Sequence, residues 1–266
     1  MAEKMDYVNW MLEVEDHRAT LTLNRPLSNN DLTVETLHEL RDFTEQAGGN
    51  PDIWVVVLQG NGDNFSSGID LDIFLARLNQ PGKDLVQFVH DQQRCLDSFA
   101  MLEKPTIARL HGFCIGGGLL LALCCDFRIA SDRTIFSLPE IKLGIPPLWG
   151  AHRVTRTIGV SKAKEMVLLG KRYRAHEALE MGLVHQVVPR DSLDKVVDRF
   201  ANQFARLPPR SVGLTKGVID WGAGPSDRDS QELELAALEK LSRSPDLQEA
   251  IDSYIHKRKP VFSGKY

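Results

Sequence analysis

Residues 105–131, PTIARLHGFCIGGGLLLALCCDFRIAS, constrain this chain more than any other stretch. A short apolar run from Thr106 to Leu110 breaks at His111-Gly112 and then meets three consecutive glycines, Gly116, Gly117 and Gly118. Leucines at helical spacing follow, and a β-like run over residues 127–130 closes the segment. Each glycine in a helix is roughly 0.8–1 kcal/mol worse than alanine. Three in a row at a helix start therefore point to a place where the backbone must be bare. The usual physical reasons are a positive φ or a ligand pressed against the main chain. A helix N-terminus there also offers unpaired N–H donors and the positive end of a dipole.

With 266 residues, the chain fits one large domain, or one domain with a small appendage, and is long enough to bury a substantial core. Its net charge of −4, with acids and bases mixed along the sequence, argues against non-specific nucleic-acid binding. No apolar run approaches the roughly 20 residues of a membrane span. The polar opening MAEKMDYVNW carries no secretory pattern, so the expected location is cytoplasmic, with no membrane partner. Cys95, Cys114, Cys124 and Cys125 lack metal-ligand spacing and read as buried reduced thiols.

Along the chain, Val8, Trp10, Leu12 and Val14 alternate with mostly polar residues, and Ala19, Leu21 and Leu23 do so after a polar turn. This predicts a hairpin. Thr33 is positioned to cap a helix with Leu37, Leu40 and Phe43 on one face, stopped by Gly48-Gly49. Residues 54–59, WVVVLQ, read as a strand buried on both faces. A glycine loop, GNGDNFSSGID, follows at residues 60–70. Its spacing matches neither a dinucleotide fingerprint nor a P-loop. Residues 83–102 predict a long helix. The strand, glycine loop and helix then recur through the opening stretch, which suggests a coiled stack of similar units. Such an arrangement places two glycine loops at equivalent strand ends, where ligands usually sit. A short strand is expected at 134–136. Glu140 follows it among Ile141, Leu143, Ile145, Pro146, Pro147 and Leu148, an unusual setting for surface charge. Helices are expected at 161–169, 174–181 and 193–207, with a strand-like run at 185–188. A composition shift near Pro208 divides a core at 1–207 from a helical region at 208–266, where Leu233, Leu235, Leu238 and Leu241 lie at helical spacing.

Three segments together carry a resemblance: Asn64-Phe65-Ser66-Ser67-Gly68-Ile69-Asp70-Leu71, then His111-Gly112-Phe113-Cys114-Ile115-Gly116-Gly117-Gly118, then Pro139-Glu140-Ile141-Lys142-Leu143-Gly144. With Asn24-Arg25-Pro26 and the ending Lys257-Arg258-Lys259-Pro260-Val261-Phe262, the chain resembles the crotonase superfamily, the enoyl-CoA hydratase/isomerase proteins, over nearly its whole length. The resemblance implies an α/β fold of repeated β-β-α turns in a spiral, followed by a helical trimerisation region. It implies a homotrimer, or a hexamer built as a dimer of trimers. It also implies a coenzyme A thioester as substrate, with no cofactor beyond the coenzyme A that the substrate carries. By motif position, the backbone N–H groups of Ile69 and Gly117 would form an oxyanion hole, flanked by Ser67, Gly68, Asp70, Leu71 and Gly116, with Glu140 as the acid/base. Chemistry agrees, because enolate formation puts negative charge on the thioester oxygen, and one oriented donor is worth about 2.7–4 kcal/mol there.

The chain also departs from the pattern. Hydratases that resemble it carry two glutamates, and the first of these positions is Leu120 here. The branches that use an aspartate beyond the Pro-Glu segment have it where this chain has Leu148. A single carboxylate suits movement of a double bond, in which one base takes an α-proton and returns it at the γ-carbon. Hydration, decarboxylation or C–C cleavage of a coenzyme A or acyl-carrier thioester, and a non-catalytic acyl-CoA or partner-binding module, stand as alternatives. Tyr254 in the last helix is a candidate second group for cleavage, although helix packing is the commoner role of such a tyrosine. His90 reads as solvated, and His111 as bonded to backbone. An apolar pocket of Ile69, Leu120, Ile141, Leu143, Pro146 and Leu148 would raise the pKa of Glu140. The segment Asp70-Leu71-Asp72 is acidic where relatives often place a cation. The expected phosphate partners are therefore Arg25 and the C-terminal Lys257, Lys259 and Lys265, of this or a neighbouring subunit, with Phe262 near the adenine.

Overall fold

In the computed structural model, residues 7–78, 83–148, 150–204, 207, 209–222, 239, 242 and 245–260 are described. The chain opens with the expected hairpin, β1 (Trp10–Glu15) and β2 (Arg18–Leu23), paired from Trp10↔Leu23 to Glu15↔Arg18. Asp16 and His17 turn it with φ of 46° and 64°, the left-handed pair that matches strand twist in a two-residue hairpin. Helix α1 (Val34–Gly49) starts where Thr33 accepts a hydrogen bond from Thr36 N at 3.2 Å. It buries Leu37, Leu40 and Phe43 and runs through both terminal glycines to end at Asn50.

Strand β3 (Val55–Gly60) is followed by α2 (Leu71–Leu78), α3 (Lys83–Ala100), β4 (Thr106–Leu110), β5 (Phe113–Ile115), α4 (Gly117–Leu123), β6 (Phe127–Ser131) and β7 (Ile135–Ser137). Then come α5 (Ala151–Leu169), β8 (Arg172–Arg174), α6 (Ala175–Glu180), β9 (Gln186–Val188), α7 (Leu193–Phe204), α8 (Pro209–Gly222) and α9 (Pro245–Ile255). Leu233, Leu235, Leu238 and Leu241 lie outside the described residues.

Two sheets result, one in the order β1-β2-β3-β4-β6-β9 and one in the order β5-β7-β8. From β2 to β9 the larger sheet is parallel. The pairs β4 and β5, β6 and β7, and β8 and β9 each give one strand to each sheet, as in the crotonase-like spiral. The uninterrupted apolar run of β3 now has its reason. Val56 and Leu58 face the main core, whereas Val55 and Val57 join Ile107 and Ile129 against Leu193, Val197 and Ala201 of α7. The four cysteines are buried free thiols. None of the described helices is long and apolar enough to cross a membrane.

Candidate active site

The first wall of the site is backbone. Asn30 reaches from the turn after β2 and donates through Nδ2 to Asn61 O (2.8 Å) and Asn64 O (2.7 Å). Phe113 N donates to Asn64 Oδ1 at 2.8 Å, and Ile115 N to Ser66 O at 3.1 Å, so the glycine loop lies along β5. Ser66 Oγ accepts from Gly68 N at 3.1 Å. Leu32 then pairs with the loop on one side only: Leu32 N donates to Gly68 O, and Asp70 N donates to Leu32 O. This leaves the Ile69 N–H facing the other way, without a partner among the described residues. The Gly117 N–H, first in α4, is likewise unpaired.

These two donors are neighbours. A methyl group on Gly117 would stand 3.3 Å from Ile69 N, and one on Gly68 would stand 3.1 Å from Gly117 N. Gly68 has φ of 102°, and Gly116 has φ of 54° with ψ of −130°, conformations that only glycine adopts freely. A methyl on Gly116 would also come within 3.0 Å of Glu140 Oε1. The glycines are therefore bare for two reasons. One is backbone conformation, and the other is the approach of Glu140.

The second wall is made of side chains. Glu140 opens a single 3-10 turn, Glu140–Leu143, closed by Gly144 with φ of 71°. Helix α9 sits on that turn, where a methyl on Gly144 would meet Leu247 Cα at 3.3 Å and Ala250 Cβ at 3.5 Å. Glu140 Oε2 is buried with no hydrogen-bond partner. Burial pushes the Glu140 carboxyl up to about 7, and its own backbone N–H opposes this only in part. Gln93 of α3 donates through Nε2 to Leu148 O and ties down the segment after the turn.

Between the walls lies a cavity of about 410 Å³, lined by Ser67, Gly68, Ile69 and Leu71 from the first loop and by Gly116 and Gly117 from the second. Glu140, Leu143, Pro146, Leu148, Arg172 and Tyr254 close it, and Glu140 is the one acid among the lining residues. A larger cavity, about 770 Å³, lies between the end of α4, α5 and α8. Its charges answer one another, as Arg153 with Asp97 (2.5 Å) and Lys216 with Asp126 (3.0 Å) show. It lacks the two adjacent unpaired N–H groups, so the smaller cavity is the candidate site.

The structure brings Glu140, Ile69, Gly117, Ser67, Gly68, Leu71, Gly116 and Leu143 into this cavity. Other expectations need correction. Leu120 is 1% exposed and turned away from the cavity, and a methyl on Gly150 would meet its Cδ2 at 2.7 Å. Ile141 points outward, 39% exposed. Asp70 spends its Oδ1 on Asp72 N and Ile73 N, capping α2. The Arg25 guanidinium is held by Asp31 (2.8 Å) and Asn9 (3.1 Å), so it is not a free phosphate partner. His90 is half-buried with an unpartnered Nδ1 rather than solvated. Lys257 and Lys259 are exposed and do not line the cavity, whereas Phe262 and Lys265 lie outside the described residues. His111 does bond backbone: its Nε2 lies 3.0 Å from Gly62 O and its Nδ1 3.1 Å from Arg109 Nη1. Burial, with Arg190 and Arg109 nearby, lowers its pKa to about 4 and keeps the ring neutral. Lys142 and Arg172 are cavity residues that sequence reasoning missed. Arg172 lies on a three-residue strand whose partner is set only by the fold.

Fold and site together set two unpaired backbone N–H groups beside one buried carboxyl. The family model described as enoyl-CoA hydratase/isomerase matches residues 14–265, and the chain belongs to that family. It is similar to the enoyl-CoA isomerase/hydratase fer4 of Mycosarcoma maydis, 33% identical over 255 residues that cover 92% of each chain. It is also similar to the crotonyl-CoA hydratase of Syntrophomonas wolfei, 32% identical over 98% of this chain and 100% of the relative. Among solved structures, an enoyl-CoA hydratase from Mycobacterium avium subsp. paratuberculosis K-10 superposes with a TM-score of 0.85. It is 29% identical, covering 97% of this chain and 100% of that one.

Proposed function

We propose that this chain acts on acyl-CoA thioesters and moves a carbon–carbon double bond. The observation that carries the reading is the single buried, unpartnered carboxyl of Glu140 beside the unpaired N–H groups of Ile69 and Gly117, with no second acid among the described residues that line the cavity. A 3-enoyl thioester would place its carbonyl oxygen on the two N–H groups. Glu140, ionised, takes a proton from C2. The electrons move onto the thioester oxygen as a dienolate, where the oriented donors stabilise them. The same carboxyl returns the proton at C4, leaving a 2-enoyl thioester. A carboxyl with pKa near 7 suits both halves of this transfer. No further cofactor enters these steps.

A second reading, decarboxylation or C–C cleavage, is favoured by Tyr254, which lines the cavity from α9. Hydration is less well supported, because it calls for a second group to activate water. We further propose that the chain assembles as a trimer or a dimer of trimers. Val160, Leu168 and Leu169 of α5 are 58%, 60% and 53% exposed and are candidates for burial between subunits. The test of reaction is incubation with 3-enoyl-, 2-enoyl- and malonyl-type thioesters in deuterated water, read by mass spectrometry. Isomerisation gives an isobaric 2-enoyl product that gains at most exchanged deuterium. Hydration adds one water, decarboxylation loses carbon dioxide, and a non-catalytic binding protein leaves every thioester unchanged.

A further inference from the structure

Two cations line the candidate active site. Lys142 lies two residues beyond Glu140, and Arg172 opens β8. Among the described residues no carboxylate pairs with either. Both side chains are exposed, like other surface cations without an ion pair such as Arg133 and Arg199, and what sets these two apart is that they line the cavity. Nor do these cations neutralise Glu140, whose pKa burial raises against the partial opposition of its own backbone N–H. They stand apart from the reacting carboxyl, inside the same cavity.

Sheet register says where. Ile115 of β5 is opposite Ser137 of β7, and Ser137 is opposite Arg172 of β8. All three line the cavity in a row across the sheet. Gly116 and Gly117 follow the first column, Glu140 follows the second, and Arg172 occupies the third. Lys142 leans the same way, since a methyl on Gly170, just before β8, would meet its Cε at 3.0 Å. A thioester held at the first column must offer its α-carbon toward the second, because Glu140 works on that carbon. An acyl chain that continued along the row would run toward the third column, with the sulfur and its coenzyme A on the opposite side. Two strand spacings, roughly 10 Å, separate the first column from the third.

We propose that Arg172, with Lys142 beside it, is a specificity site for a carboxylate at the far end of the acyl chain, so that the substrate is an ω-carboxyacyl thioester. The inference rests on the thioester reading above and deepens it. A guanidinium meets a carboxylate through paired, charge-assisted hydrogen bonds, which a methyl ester cannot provide. Chains of about six to eight carbons would span the row.

The experiment compares 3-enoyl-CoA substrates of matched length that end in a carboxylate, a methyl ester or a methyl group. The expected wild-type result is a kcat/KM at least tenfold higher for the acid than for its ester. Arg172→Gln should lower the acid-to-ester ratio by roughly 10- to 100-fold, and Arg172→Lys should restore part of it. Lys142→Gln should reduce the same ratio by less, and it serves in place of Arg172→Gln if that variant does not fold. Equal wild-type rates on acid and ester would overturn the proposal. So would variants that weaken binding of free coenzyme A, measured by calorimetry, while leaving the ratio unchanged, since the cations would then hold phosphate. If no enoyl thioester is turned over, the catalytic reading fails on its own. Calorimetric binding of saturated ω-carboxyacyl-CoA against its methyl ester then decides the site: tighter binding of the acid upholds it, and equal binding overturns it.

Discussion

The two walls of the cavity are built by different means. One is main chain, held by hydrogen bonds that Ser66 and Ser137 accept and that Leu32 both donates and accepts. The other is side chain, carried on a single 3-10 turn, a three-residue strand and the C-terminal helix α9. The main-chain wall presents two donors whose chemistry does not depend on residue type, so Ile69 can be apolar. The side-chain wall offers one carboxyl, two unpaired cations and a phenol. The first wall supports any reaction that passes through an enolate. In the proposed function, the second selects which reaction and which acyl group.

Replacing the base should produce the largest effect. Glu140→Gln keeps the shape of the second wall and is expected to lower turnover by roughly 10²–10⁴-fold on every active thioester. Unchanged turnover would remove Glu140 from the mechanism. In the wild type, kcat/KM should rise with pH to a plateau just above about 7, as the base ionises. Stability runs the opposite way. The folded carboxyl binds its proton more tightly than the unfolded one, so the fold loses stability as pH rises from about 4.5 through 7. Glu140→Gln should therefore melt higher than wild type above pH 7, by up to about 3 kcal/mol, and should match it near pH 4.

Damage to the main-chain wall comes next. Gly68→Ala imposes a side chain at φ of 102° and 3.1 Å from Gly117 N. Turnover should fall about 10²–10³-fold, with the circular dichroism of the fold retained. Loss of less than threefold would show that these N–H groups do not meet the oxyanion.

Tyr254→Phe separates the two reaction classes. If isomerisation is the activity, the change should stay within about threefold. If cleavage is, removal of the phenolic proton should cost on the order of 10²-fold, in the range of general acid catalysis. A milder effect is expected at Asp70. Asp70→Ala removes the cap of α2 and should cost about 1 kcal/mol in chemical denaturation. At His111 the sign is opposite to that of Glu140. The folded ring resists protonation, so stability should fall as pH drops from about 6.5 toward 4, and His111→Gln should flatten that slope.

Much of this was legible in residue order. Thr33 capped the helix it was expected to cap, and the apolar run of β3 was buried on both faces. The three glycine-bearing motifs pointed to Ile69, Gly117 and Glu140. Helix α2 is less legible, because its N-cap, Asp70, is also the last residue of the glycine loop. Strands β5 and β8 were not legible. Three residues carry too little periodicity, and only pairing with β7 makes them strands.

The motifs by themselves determined the family, the bare glycines and the single carboxyl, since these follow from residue type and local spacing. Tertiary structure decided the rest, because proximity across strands has no signature along the chain. It turned Leu120 into the core, tied Arg25 to Asp31, and buried Glu140 Oε2 without a partner. It also aligned Ile115, Ser137 and Arg172 in one row, placing a cation from residue 172 in the cavity that the glycines of residues 116 and 117 begin.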